Sequence, residues 1–342
     1  MRKTIICLAA ALVTAASCKQ ESMKINHLPP IPDAAYAKGV SAPFCGLLKP
    51  DVLLVAGGAN FPDNSLLEGG AKRVYRDIWA FQDGSWIHAG LLPDSTAYGA
   101  TFPLGDRVIF AGGNAEGKAT DRVYSLYLKD GKAIVEALPP LPEPMEQCGW
   151  TLDGNQLYLV GGVGTRSIYA CEAGVLQWKE VAQLPEPLVQ PVAYACNGKL
   201  FVWGGFNPET LEVSSRGLCL EDGQWKDAPA IPDDGTFVGG TGVTLPDGRL
   251  AVVGGVNRAI FAKALHNGPE DRIPYLSQDP SWYHFRAEVY AFDGAKWTLL
   301  TADPSCALAG PGVAASAQSL FIAGGELKPG VRSPKIFEIT LK

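Results

Sequence analysis

Short apolar runs that end in a glycine pair recur along this chain: "VLLVAGG", "RVIFAGG", "LYLVGG", "LFVWGG", "LAVVGG" and "LFIAGG". A run of this length, rich in Val, Leu, Ile and Phe and closed by a turn residue, predicts a buried β-strand. The pairs are Gly57-Gly58, Gly112-Gly113, Gly161-Gly162, Gly204-Gly205, Gly254-Gly255 and Gly324-Gly325, spaced 55, 49, 43, 50 and 70 residues apart. A second apolar stretch follows most pairs, as in "DIWAFQDG", "RVYSLYLKDG" and "EVYAFDG". A tryptophan comes soon after in four of them (Trp86, Trp178, Trp225, Trp297), and proline-rich links such as "LPPLPEP" follow.

A period near 50 residues with this internal order is similar to the kelch repeat, a unit of four antiparallel strands. The diglycine lets neighbouring backbone approach closely, and the tryptophan covers the outer strand. One such sheet cannot bury both faces alone, so sheets pack as blades in a ring. The expected fold is therefore all-β, a six-bladed kelch-type β-propeller over residues 23–342. The 70-residue gap holds no further apolar run ending in Gly-Gly and reads as an insertion from Arg258 to Phe285. The last repeat ends at "KIFEITLK" without an outer strand, while the segment "MKINHLPPIP" resembles one. Met23–His27 is thus expected to complete the sixth blade and tie both ends together.

Composition narrows the picture. The chain has 342 residues, 39 Gly and 26 Pro, only 19% charged residues and a net charge of −6. No Lys/Arg cluster stands out, which argues against a nucleic-acid partner. The start, "MRK" then "TIICLAAALVTAAS", has the n-region and h-region of an export signal. Ala15-Ala16-Ser17-Cys18 resembles a bacterial lipobox, which implies cleavage before Cys18 and lipid on its thiol, with 18–22 as a tether. The expected setting is the periplasm or an outer-membrane anchor. Six further cysteines (Cys45, Cys148, Cys171, Cys196, Cys219, Cys306) stand alone in or beside apolar runs without a CxxC. They read as buried thiols, not as a metal site.

The charged and polar positions after the glycine pairs carry the candidate chemistry. The first residue after each pair is Ala59, Asn114, Val163, Phe206, Val256 or Glu326, and only the last is charged. Arg332 follows Glu326 by six residues across "KPG", a turn signal able to return the chain. From the residues alone the two form either an acid/base constellation or an exposed salt bridge. Asn60, Asn207 and Asn257 hold the second place after their pairs, where an amide can bind hydroxyls or simply suit a turn. Arg166 and Arg258 lie close behind their pairs, as further positive charge or as loop residues. The insertion holds His266, Tyr275, Trp282, Tyr283 and His284. It could cover the channel, pack on a neighbouring blade or meet another chain, with Phe261 as its internal anchor.

Three motifs point further: "GGANFPD" with "YRDIWAF", "GGVNRAIF" before the insertion, and "GGELKPGVR". They resemble the N-acetylneuraminate epimerase family, the bacterial sialic acid mutarotases, in the order of its cyclically permuted subgroup. The resemblance implies interconversion of the α- and β-anomers of free sialic acid with no cofactor and no metal. It implies Glu326 as acid/base and Arg332 as partner of the substrate carboxylate or transition state. It favours Asn257, and then Asn60, among the binding candidates. Two other readings stand beside it. A non-catalytic carbohydrate- or protein-binding propeller needs neither residue for turnover. A copper oxidase on the same architecture needs two converging histidines, and the chain has four in all, two of them in the insertion.

Overall fold

The computed structural model describes residues 23–48 and 51–341; Cys18 and the export segment lie outside the described residues. The sheets follow the repeats. Blade 1 is built from Phe44–Leu48, Val52–Ala56, Asp77–Gln82 and Ser85–Leu91, and blade 2 from Ala100–Pro103, Val108–Ala111, Val123–Lys129 and Lys132–Leu138. Blades 3 and 4 begin at Gly149–Asp153 and Val189–Cys196, and blade 5 at Thr241–Thr244. Each of these five runs in chain order from its innermost to its outermost strand. Blade 6 has Gly312–Ala315, Ser319–Ala323 and Ile336–Thr340, and its fourth strand is Ile25–Leu28. That strand pairs antiparallel with the C-terminal one, Ile25 opposite Ile339 and Leu28 opposite Ile336. The two ends of the propeller are therefore held in one sheet.

Burial explains why the blades stay together. A separate apolar core fills each of the six junctions, for instance Phe44, Leu54, Ile78 and Phe110 between blades 1 and 2. Leu320, Ile322 and Phe337 of blade 6 face Val253, Val289 and Ala291 of blade 5 in the same manner. The second strand of each blade is thus packed on both faces, which is why these strands read as unbroken apolar runs and not as alternating ones. Two of the four repeat tryptophans pin neighbours by hydrogen bonds: Trp86 donates its indole N–H to the Pro29 carbonyl at 2.7 Å, and Trp225 to Gln183 at 2.9 Å. The six cysteines are free thiols within or beside these layers.

The glycine pairs sit where the second strand of one blade meets the next blade. Both members have positive φ, 65° and 90° at Gly57-Gly58 and 66° and 101° at Gly324-Gly325. A Cβ at Gly57 would lie 2.2 Å from the Thr96 carbonyl oxygen of blade 2, and one at Gly324 would lie 2.2 Å from Val40 ahead of blade 1. The N–H of the second glycine bonds the next blade, Gly58 to Thr96 and Gly325 to Val40. Only glycine permits both the conformation and the approach.

A belt of backbone hydrogen bonds runs around the channel and spans five of the six blade junctions. Tyr98 N–H donates to the Ala42 carbonyl (3.0 Å), Gln147 to Tyr98 (3.0 Å) and Gln190 to Gln147 (2.8 Å). Gly310 donates to Gly239 (2.6 Å), and Ala42 donates back to Gly310 (2.7 Å). These six residues, one per blade, all have positive φ. The wall they form surrounds the central channel.

Candidate functional site: the mouth of the channel

The channel opens into a cavity of ≈ 220 Å³ lined by the belt residues and the innermost strands. That is small for a ligand cavity and suits a compact molecule better than a polymer. Its lining is mostly backbone and small side chains, with Tyr98, Trp150 and Phe261 as aromatic surface and Gln147, Gln190 and Thr241 as polar groups. Among the described residues, Glu326 is the one charged side chain on its wall.

Local structure places Glu326 there. The first residue after each glycine pair bridges the residue just ahead of a belt position. Ala59 exchanges backbone hydrogen bonds with Ser41, and Glu326 does so with Ala309 at 2.6 and 2.9 Å. The chain then forms a short hairpin, Glu326–Lys328 with Val331–Arg332, in which Glu326 lies opposite Arg332. Gly330 has φ 81° at the turn, as "KPG" predicts. The Arg332 guanidinium reaches the Glu326 carboxylate as an ion pair. Its Nε donates to the Ala59 carbonyl at 3.1 Å, and its plane lies 5.2 Å from the Phe61 ring centroid. The Arg332 side chain is 2% exposed and that of Glu326 24%, so the pair is sunk into the wall with only the carboxylate facing the cavity. Burial pushes the Glu326 carboxyl above the ordinary glutamate range, while Arg332 and then Lys72 pull it back. It is a carboxylate whose ionisation is set by its surroundings, the property required of an acid/base group.

The insertion frames one side of the mouth. Asn257 caps the helix Arg258–Leu265 by accepting from the Ile260 N–H at 3.1 Å. Phe261, Ala262 and Leu265 of that helix pack on Val213, Val238, Val256 and Ala309, and Phe261 meets Phe206 edge-on. Phe261 therefore anchors the insertion to blade 4 and lines the cavity; it is not an internal anchor alone. Lys328, two residues from Glu326, donates to the carbonyls of Leu276 and Gln278 at 3.1 and 2.6 Å, fastening the second half of the insertion. Tyr275 comes near Glu326, and burial first, then Tyr283 and Glu326, raise its hydroxyl to about 12. Trp282 and Tyr283 meet Tyr275 edge-on, and neither lines the cavity.

The five binding candidates fall elsewhere. Asn60 is fully buried: its amide donates to Ala35 and Gly39 and accepts from the Tyr75 hydroxyl, so nothing remains for a ligand. Asn207 donates to Glu186 and accepts from the N–H groups of Glu209 and Thr210, an Asx turn. Asn257 is the helix cap. Arg258 binds the Val213 carbonyl and Asp234, and Arg166 donates to Gln183 near the outer strand of blade 3. None of the five lines the cavity. For the three asparagines the physical reason is strand parity: the second residue after a pair points away from the face that the first presents. Arg258 and Arg166, third and fourth after their pairs, are instead drawn off by Val213, Asp234 and Gln183. Val256 lines the cavity and Asn257 does not.

The residues that do line it, Tyr98, Gln147 and Gln190, were absent from the sequence reading. They hold left-handed backbone with φ 64°, 54° and 57°, a costly state for non-glycine residues that concentrates at functional sites. Gln190 donates to the Gln147 side-chain oxygen at 2.6 Å, which leaves an amide N–H₂ and a carbonyl open toward the cavity. A signal existed: each belt residue stands 14 or 15 residues ahead of its glycine pair, and five of the six precede Pro or Gly.

A sequence model of the N-acetylneuraminate epimerase family matches residues 138–342, more than half of the chain and all of the Glu326–Arg332 hairpin. The chain belongs to the N-acetylneuraminate epimerase family. It is 30% identical over 218 residues to the N-acetylneuraminate epimerase of Pasteurella multocida, a match covering 57% of each chain. The corresponding protein of Haemophilus influenzae is 28% identical over 221 residues, covering 59% of this chain and 58% of that one. An N-acetylneuraminate epimerase 1 of Escherichia coli is 25% identical over 223 residues. The chain thus matches somewhat less than three fifths of the length of these family members.

Proposed function

We propose that this chain is a mutarotase that interconverts the α- and β-anomers of free N-acetylneuraminate. The observation that carries the reading is the partly buried Glu326 carboxylate, the one charged group among the described residues that faces a small cavity, in a member of this family. Anomerisation moves one proton from the anomeric hydroxyl to the ring oxygen as the C–O ring bond breaks, and reverses this on the other carbonyl face. Glu326 accepts the anomeric proton, delivers it to the ring oxygen, and repeats the exchange during closure. One carboxylate suffices because the proton is conserved. Groups positioned in this way contribute about 10²–10⁴-fold. Arg332 steadies the ionised form and fixes its direction. Gln147, Gln190 and Tyr98 supply hydrogen bonds and a ring face to sugar hydroxyls. The start of the chain supports export, with lipid attached at Cys18 and action outside the cytoplasmic membrane.

The test is direct. α-N-acetylneuraminate released by a retaining sialidase is followed to the β-anomer by NMR, with and without the protein. Acceleration above the spontaneous rate is expected; equality with it overturns the reading.

A further inference from the structure

The proposed substrate is a carboxylate, and the site already holds one in Glu326, so a cation must stand between them. Arg332 does not have the access for this. Its side chain is 2% exposed, its Nε is committed to Ala59, its face to Phe61 and its end to Glu326. A second cation lies at the same rim. The loop 61–72 leaves blade 1 just after its glycine pair and returns at Arg73–Val74, paired with Ala59–Asn60. Lys38 holds the loop by donating to the Pro62 and Asp63 carbonyls at 2.7 and 3.2 Å. Leu66 packs so closely on the Gly330 turn that a Cβ there would lie 2.4 Å from its own Cβ. The loop is therefore built against the Glu326–Arg332 hairpin. At its end the Lys72 ammonium sits 5.1 Å from the centroid of Tyr98, a residue of the cavity wall. Among the described residues no carboxylate lies within ion-pair distance of Lys72, and its side chain is exposed.

We infer that Lys72, and not Arg332, takes the carboxylate of the acidic sugar and so sets which way the anomeric centre faces Glu326. This rests on the reading of the cavity as a sialic acid site. An ammonium resting on an aromatic face at the surface is weakly held and can turn to a better partner. Its proximity to Glu326 is also felt by that carboxyl, which Lys72 helps keep ionised. A compact point charge on a flexible stem suits a carboxylate that must be held while the ring opens and recloses beside it.

Binding separates this inference from the catalytic reading. Titration calorimetry with N-acetylneuraminate and with its methyl ester compares a charged and a masked carboxyl on the same sugar. The wild-type protein is expected to bind the acid at least about tenfold more tightly than the ester. In Lys72→Met the affinity for the acid should fall to that for the ester, and Lys72→Arg should restore most of the preference. Unchanged discrimination in Lys72→Met overturns the inference while leaving any catalysis by Glu326 intact. Loss of discrimination in a protein that shows no turnover keeps the inference and removes the mutarotase reading. No binding of the acid by wild-type protein overturns both.

Discussion

Blades 1 and 6 meet at the channel mouth, and each carries a polar side chain within two residues of its glycine pair. Their fates are opposite. Asn60 stands second after Gly57-Gly58 and is buried with its amide spent on Ala35, Gly39 and Tyr75. Glu326 stands first after Gly324-Gly325 and faces the cavity, held from behind by Arg332. A shift of one residue reverses which face of a strand a side chain occupies. One polar group thus knits the propeller together, while the other is left for chemistry. The two blades are also coupled, since Arg332 of blade 6 is anchored on the Ala59 carbonyl of blade 1. The charged site needs the ring to be closed.

Breaking the comparison at Glu326 should have the largest effect. Glu326→Gln keeps the shape and removes the ionisable group, and is expected to lower the enzymatic rate of anomer exchange by about 100-fold or more, with an unchanged far-UV circular dichroism spectrum. A variant that retains the wild-type NMR exchange rate would remove Glu326 from the mechanism.

The pH dependence sharpens the same side. Because burial raises the Glu326 carboxyl, the acid limb of the rate profile should lie above the ordinary glutamate value of about 4.3. The sign for stability is the reverse of that for an ordinary paired carboxylate. Between that value and the raised one the folded state holds more protons than the unfolded state, so stability falls as pH rises across the interval. Chemical denaturation of Glu326→Gln across this range should lack that contribution, and an identical slope in both proteins would contradict it.

On the other side of the comparison, Asn60→Ala strands a buried hydroxyl and two carbonyls. It should cost about 1–3 kcal/mol in urea titration and leave the Kd for the sugar unchanged. A weakened Kd in a stable variant would return Asn60 to the site. The smallest effect is expected for Arg166→Ala, whose guanidinium among the described residues hydrogen-bonds Gln183, on the outer strand of blade 3. Stability should stay within about 0.5 kcal/mol and the exchange rate within error, as thermal melting and the same NMR assay would check.

What the chain alone determined follows from local rules. Apolar runs ending in Gly-Gly specify the strands, their spacing specifies six blades, and the missing last strand points to the N-terminal segment that fills it. The single carboxylate after a glycine pair and the turn that returns Arg332 to it were likewise legible, because sequence neighbours decide both. The belt residues, the Lys72 loop and the true setting of the three asparagines were not. Tyr98, Gln147 and Gln190 converge from three blades, and Lys72 meets Tyr98 across a blade junction. Such juxtapositions exist only once the ring has closed. Asn60, Asn207 and Asn257 carry the same residue type at the same offset as a binding group would. Strand parity and the partners waiting on the buried side decided otherwise, and those partners are supplied by other segments of the folded chain.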